Sequence, residues 1–108
     1  MTTDNEDGWT DVAAAADLAP DDVTVVAGPG GEIALYSIDG EVFATDNLCT
    51  HGHARLCEGF LLGHEIECPL HQGRFDVRSG QPTCDPAALP VRSHPVRIEG
   101  GRVWLKLG

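Results

Sequence analysis

A chain of 108 residues has room for one domain, since independent domains run about 100 to 150 residues, and multi-domain enzymes are excluded. With 42% apolar and 22% charged residues it can build a core, which sets the disordered class aside despite a net charge of −10. Seventeen carboxylates against seven Lys and Arg argue against nucleic acid or an anionic membrane as partner and favour docking on basic surfaces.

The N-terminal run Met1-Thr2-Thr3-Asp4 has neither a basic nor an apolar leader character, and no stretch approaches the roughly 18 apolar residues of a membrane span. A cytoplasmic location is expected. Trp9 to Val12 reads as a first strand, followed over residues 13 to 19 by an alanine-rich turn or two of helix that Pro20 ends. Val23 to Ala27 is a second strand, stopping at Gly28-Pro29-Gly30-Gly31. The third, Glu32 to Ile38, carries Ile33 and Leu35 on one face. Asp39-Gly40 is then a two-residue hairpin turn, and Glu41 to Thr45 returns antiparallel.

Residues 46 to 90 fit the strand rhythm worst, yet hold all four cysteines and four of the five histidines. Beyond them, Val96 and Ile98 alternate with charged neighbours, Gly100-Gly101 closes a second hairpin, and Val103, Leu105 and Leu107 alternate on the return. Seven to nine short strands without a long helix predict an all-β sandwich or barrel. Trp9 and Trp104 are expected in its core. Charge is lopsided: residues 1–48 hold 11 acids and no Lys or Arg, whereas residues 49–108 hold the other 6 acids and all 7 bases. Acids that merely solvate a surface are one reading of this, and a field steering a cationic partner is the other.

The middle segment contains two clusters, Cys49-Thr50-His51 and Cys68-Pro69-Leu70-His71. In a reducing compartment such cysteines suit metal binding or burial better than disulfides. Two loops each offering one thiolate and one imidazole suit tetrahedral zinc or a [2Fe-2S] cluster with two His in place of two Cys. Structural zinc sites usually pair ligands of one kind per knuckle, whereas here each loop is mixed. A dinuclear cluster accounts for the mixing, because each loop can send its Cys to one iron and its His to the other.

Cys49-Thr50-His51-Gly52 with Cys68-Pro69-Leu70-His71-Gln72-Gly73-Arg74-Phe75-Asp76-Val77 resembles the Rieske-type ferredoxins, and more narrowly the ferredoxin components of naphthalene-type aromatic-ring-hydroxylating dioxygenases. The resemblance is densest over residues 43–81. It implies one Rieske-type [2Fe-2S] cluster, with Cys49 and Cys68 on one iron and His51 and His71 on the other. It also implies a single all-β Rieske domain over residues 1–108, an antiparallel sandwich or barrel-like base with a cluster-binding subdomain at roughly 46–84. The function implied is one-electron transfer, without catalysis of its own, from a flavin-containing NAD(P)H-dependent ferredoxin reductase to the Rieske centre of a terminal oxygenase. A monomer is the default for such a carrier. Gly52, Gly73 and Pro69 would shape the loops around the cluster.

The high-potential branch of the family adds a disulfide between the loops at positions matching Ala54 and Leu70, and hydroxyls at positions matching Gly73 and Phe75. Neither the disulfide nor either hydroxyl is possible here. Without those two hydroxyl hydrogen bonds to sulfur, the centre is expected near the bottom of the range for Rieske centres, about −150 mV. Competing readings are the same carrier serving a salicylate-hydroxylase-like monooxygenase or acting as a nitrite reductase small subunit, a fragment of an oxygenase, and a structural zinc module. The chain has no residues left for a separate mononuclear iron domain, which opposes the oxygenase fragment. Cys57 and Cys84 are read as buried bystanders, with a mutual disulfide the lesser option. His53, Arg55 and Arg74 are read as rim residues; His64, in the Gly63-His64 turn between two strand-like runs, and His94, just before Pro95, are read as surface or satisfied histidines.

Overall fold

Four consecutive residues of the third strand, Ile33 to Tyr36, are buried, as is Ile38, and this burial on both faces organises the molecule. The computed structural model describes residues 8–48, 54–69, 73–84 and 89–106. Its strands are β1 (Trp9–Ala14), β2 (Asp22–Gly28), β3 (Gly31–Ile38), β4 (Glu41–Asp46), β5 (Phe60–Leu62), β6 (Glu65–Glu67), β7 (Arg74–Asp76), β8 (Pro82–Cys84), β9 (Ser93–His94), β10 (Val96–Glu99) and β11 (Arg102–Lys106). They form three antiparallel sheets, ordered β1-β11-β10, β2-β3-β4-β9 and β5-β6-β7-β8. The all-β expectation holds.

Side chains alternate across a strand, so β3 sends Ile33 and Leu35 one way and Ala34, Tyr36 and Ile38 the other. On the first side Ile33, Leu35 and Ala44 pack with Val103 and Leu105 of β11. On the second, Ala34, Tyr36 and Ile38 pack with Ala54, Leu56, Ile66, Cys68, Phe75 and Val77. The sheet containing β3 is therefore a middle layer between the β1-β11-β10 sheet and the β5–β8 sheet. Tyr36 is wholly buried, its hydroxyl 2.9 Å from that of Thr45, and burial pushes its phenol well above the ordinary range.

Asp39 and Gly40 both adopt positive φ (51° and 82°), as do Gly100 and Gly101 (59° and 75°), so both two-residue hairpins have the twist that suits their strands. Several expectations need correction. Among the described residues there are eleven strands rather than seven to nine, because β5 to β9 are only two or three residues long and too short to show alternation. The alanine run makes no helix over 13–19: Ala13 and Ala14 pair with Val103 and Arg102, leaving a single 3-10 turn at Ala15–Asp17. Pairing along β11 outweighs alanine's helical preference. Trp9 and Trp104 are half-buried on the outer face of their sheet, with the Arg97 guanidinium 4.5 Å above the Trp9 ring. Ile98 is exposed, and Leu107 lies outside the described residues. Among the described residues no helix is long and apolar enough to cross a membrane.

Candidate metal centre

Two loops leave the middle and outer layers side by side, and each is closed at its neck by backbone hydrogen bonds. The first leaves β4 at Asp46, whose N–H donates to the Arg92 carbonyl at 2.8 Å. Asn47 then donates to the Glu32 carbonyl at 3.0 Å, Leu48 bridges to Arg55, and the Leu56 N–H returns to the Asn47 carbonyl at 2.6 Å. Residues 49–53 lie between these closed ends. The second loop joins β6 to β7, with Glu67 opposite Arg74 and the Cys68 N–H donating to the Gly73 carbonyl at 2.7 Å. Residues 70–72, between these closed ends in sequence, lie outside the described residues.

Of the four expected ligands, Cys68 is the one among the described residues, and Cys49, His51 and His71 lie outside them. Cys68 is 2% exposed, and it shares one apolar cluster with Ala54, which follows the first loop, and with Phe75, which follows the second. That shared core is what brings the necks together. Gly59 makes the contact closer: a Cβ there would collide with the Glu67 carbonyl oxygen and press on Pro69. Its φ of −92° is open to any residue, so the glycine serves close approach, not backbone conformation. A buried soft thiol at the mouth of one short loop, with a sulfur and two imidazoles in spans of three and five residues fixed at their ends, fits a [2Fe-2S] cluster with mixed ligands. Among the described residues, no three His, Cys, Asp or Glu converge to make another metal site.

Polar groups brace the first neck. Asn47 is wholly buried; its side-chain oxygen accepts from the Cys57 N–H (2.8 Å), and its amide nitrogen donates to Glu32 Oε1 (3.1 Å) and to Cys57 Sγ (3.3 Å). Arg55 binds Glu32 through Nε and Nη2 and Glu58 through Nη1. The Arg55 hydrogen bond, then that of Asn47, holds the Glu32 carboxyl below its usual range. At the second neck Arg74 lies 3.1 Å from Glu67 and 3.8 Å from Glu65. Arg55 and Arg74 are thus engaged in ion pairs, where the sequence suggested solvated rim charges.

The remaining candidates fall as follows. Cys57 is half-buried with a free thiol inside this polar network, which corrects both the apolar-bystander reading and the disulfide with Cys84. His94 is buried, its Nε2 2.7 Å from Asp46 Oδ1, so it is the satisfied histidine that was expected. His64 packs edge-on against Phe43. Gly73 is buried; Gly52 and His53 lie outside the described residues. Asn47, Glu32 and Gly59 were missed in the sequence. The only cues to them were an Asn just ahead of a candidate ligand and a glycine opening a strand without a turn.

With this geometry in place, comparison with known proteins is informative. A family model described as "Rieske [2Fe-2S] domain" matches residues 8–95. The chain is 54% identical over 99 residues to the ferredoxin component of naphthalene 1,2-dioxygenase/salicylate 5-hydroxylase systems from Ralstonia sp, a match covering 92% of this chain and 95% of that one. The solved ferredoxin of carbazole 1,9a-dioxygenase from Nocardioides aromaticivorans IC177 superposes with a TM-score of 0.89 at 38% identity, covering 93% and 98% of the two chains. A ferredoxin in a complex of reduced oxygenase and oxidized ferredoxin in carbazole 1,9a-dioxygenase superposes at 0.86 with 36% identity, covering 94% of each.

Proposed function

The chain belongs to the Rieske [2Fe-2S] domain family, and from that premise we propose that it is the one-electron carrier of an aromatic-ring-hydroxylating dioxygenase system, loaded by a flavin-containing NAD(P)H-dependent reductase and discharged at the Rieske centre of a terminal oxygenase. Its relatives are ferredoxin components of such systems, and one solved neighbour is bound to its oxygenase. It acts as a carrier, with no catalysis of its own. The observation that carries the reading is the buried Cys68 set beside the neck of the first loop in one core.

On this reading Cys49 and Cys68 hold one iron and His51 and His71 the other, within a cluster-binding subdomain of roughly residues 46–84 of a single domain. When bound, such a cluster takes up and releases one electron, starting from a formally neutral oxidised state that is easier to reduce than an all-cysteine one. The protein's part is to hold the ligands still. Closed necks restrict the loops, and burial of Cys68, Ala54 and Phe75 keeps water from the inner side. The imidazole edges of His51 and His71 are then the outward path to a partner.

A second reading, the same carrier serving a monooxygenase, is favoured by one observation: the Ralstonia relative carries the names of both a dioxygenase and a salicylate hydroxylase system. The test is to purify the protein anaerobically and record its reduced-state paramagnetic resonance. It is then supplied with NAD(P)H, a naphthalene-type reductase and, in turn, a dioxygenase and a salicylate hydroxylase. A silent spectrum, as zinc would give, overturns the carrier; turnover with only the hydroxylase selects the second reading.

A further inference from the structure

The neck of the first loop is held by a single side chain with every polar group engaged. Asn47 is 1% exposed. Its backbone N–H donates to Glu32 and its carbonyl accepts from Leu56, so the main chain ties β3 to both ends of the loop. Its side-chain oxygen accepts from the Cys57 N–H, while the two amide hydrogens go to Glu32 Oε1 and Cys57 Sγ. Only one orientation of the amide satisfies these partners, since the reverse would set N–H against N–H and oxygen against carboxylate. No shorter or singly functional side chain supplies one acceptor and two donors at this reach.

One residue, Leu48, separates Asn47 from Cys49, and the groups Asn47 holds on the far side, Leu56 and Cys57, follow directly on Ala54 and Arg55. We propose that Asn47 is a positioning residue for the iron–sulfur centre: it locks the outgoing and returning ends of the first loop in one register and thereby sets the spacing at which Cys49 and His51 are presented. The inference rests on the assignment of those two residues as ligands. Asn47 itself does not touch the cluster. Its influence runs through the neck, as outer-shell groups orient ligands in metal sites. Glu32 is its counterpart, because the carboxylate that takes the amide hydrogen also takes Arg55.

The test uses the cluster-loaded protein and three variants, Asn47→Ala, Asn47→Asp and the double variant Asn47→Asp with Glu32→Gln. Asn47→Asp keeps the acceptor for the Cys57 N–H but loses both donors and sets a second carboxylate against Glu32. Bleaching of the visible bands by an iron chelator should quicken by at least about tenfold, with displaced g values and a moved midpoint potential. In the double variant the Gln amide donates to the new carboxylate, reversing the polarity of the bond and removing the carboxylate repulsion, and should recover part of the wild-type rate and spectrum, the charged grip on Arg55 and the donor to Cys57 Sγ being lost. Thermal unfolding of the apoproteins reads general destabilisation separately. Variants that unfold earlier but keep the wild-type bleaching rate, g values and potential overturn the positioning role. A wild-type protein without two irons, two sulfides and a Rieske-type signal overturns the ligand assignment and this inference with it. A normal wild-type signal with unaffected variants overturns the inference alone.

Discussion

Arg55 grips Glu32 with two parallel hydrogen bonds, Nε to Oε1 at 2.9 Å and Nη2 to Oε2 at 3.0 Å, across 23 residues of sequence. The pair ties the returning end of the first loop to the start of β3. It has the planar, two-pronged form in which arginine binds carboxylate best.

This pair makes the neck sensitive to acid. The Glu32 carboxyl is held below its usual range, first by Arg55 and then by Asn47, so its ionised form is favoured in the folded protein. A depressed folded pKa contributes stability that is fully present above the unfolded value and is lost as pH falls through the folded one. Glu32→Gln should therefore lower apoprotein stability near pH 7, and the gap from wild type should close below about pH 4. Urea titrations at several pH values check this. A gap that persists undiminished at the acid end would show that the charge on Glu32 is not what matters.

Gly59 sets how closely the two necks approach. Gly59→Ala would drive a methyl into the Glu67 carbonyl and Pro69, backbone and ring that cannot swing aside. A cost of about 1–3 kcal/mol in stability is expected, together with faster cluster loss. Gly30→Ala, where an added Cβ meets only open space, is the control and should be close to neutral. Thermal melts and chelator bleaching on the two variants check this; equal behaviour would mean that the necks are free to move apart.

How far the sequence spoke for itself depends on the length over which a pattern repeats. Eight residues of β3 and the Asp39-Gly40 turn were enough to read β2 to β4, and β3 did put Ile33 and Leu35 on one face. Three-residue strands such as β5 and β6 leave no room for alternation, so in the outer sheet only the Gly63-His64 turn between two strand-like runs was legible. Ala13 and Ala14 misled because cross-strand pairing with β11 decides their state. Cys68 was readable from its motif alone. Its surroundings were not: the Arg55–Glu32 grip, the Asn47 amide and the Asp46–His94 bond join residues 23, 15 and 48 apart, which no local spacing announces.

The fold also distributes the acids. Glu32 and Asp46, from the acid-rich first half, stand at the first neck, but Glu32 and Glu58 share Arg55, while Glu65 and Glu67 share Arg74 at the second neck. Asp21 and Asp39 lie together at the far end of β3, where the Asp39 N–H donates to Asp21. A basic partner would therefore meet a modest field around the necks, where the acids share Arg55 and Arg74. Electron transfer to the oxygenase should slow by about tenfold as the Debye length shrinks from about 30 Å to about 8 Å. Stopped-flow oxidation of the reduced protein across that range of salt measures it. A rate indifferent to ionic strength would remove steering from the account.

Phe75 bears on the potential. It is wholly buried on β7, in the same apolar cluster as Cys68. With Cys68 as a ligand, as proposed, the residue packed with it would be an aromatic ring without a hydroxyl, offering no phenol to stabilise the reduced, more negative cluster. A midpoint near −150 mV follows, the low end for centres of this kind. Phe75→Tyr would place a hydroxyl in a dry environment, where it must find an acceptor or cost about 1–3 kcal/mol. If its acceptor is sulfur, the potential rises and cluster loss slows; if it finds none, stability falls and the potential stays. Protein-film voltammetry with apoprotein melts separates these outcomes, and a wild-type midpoint above zero would contradict the link between missing hydroxyls and a low potential.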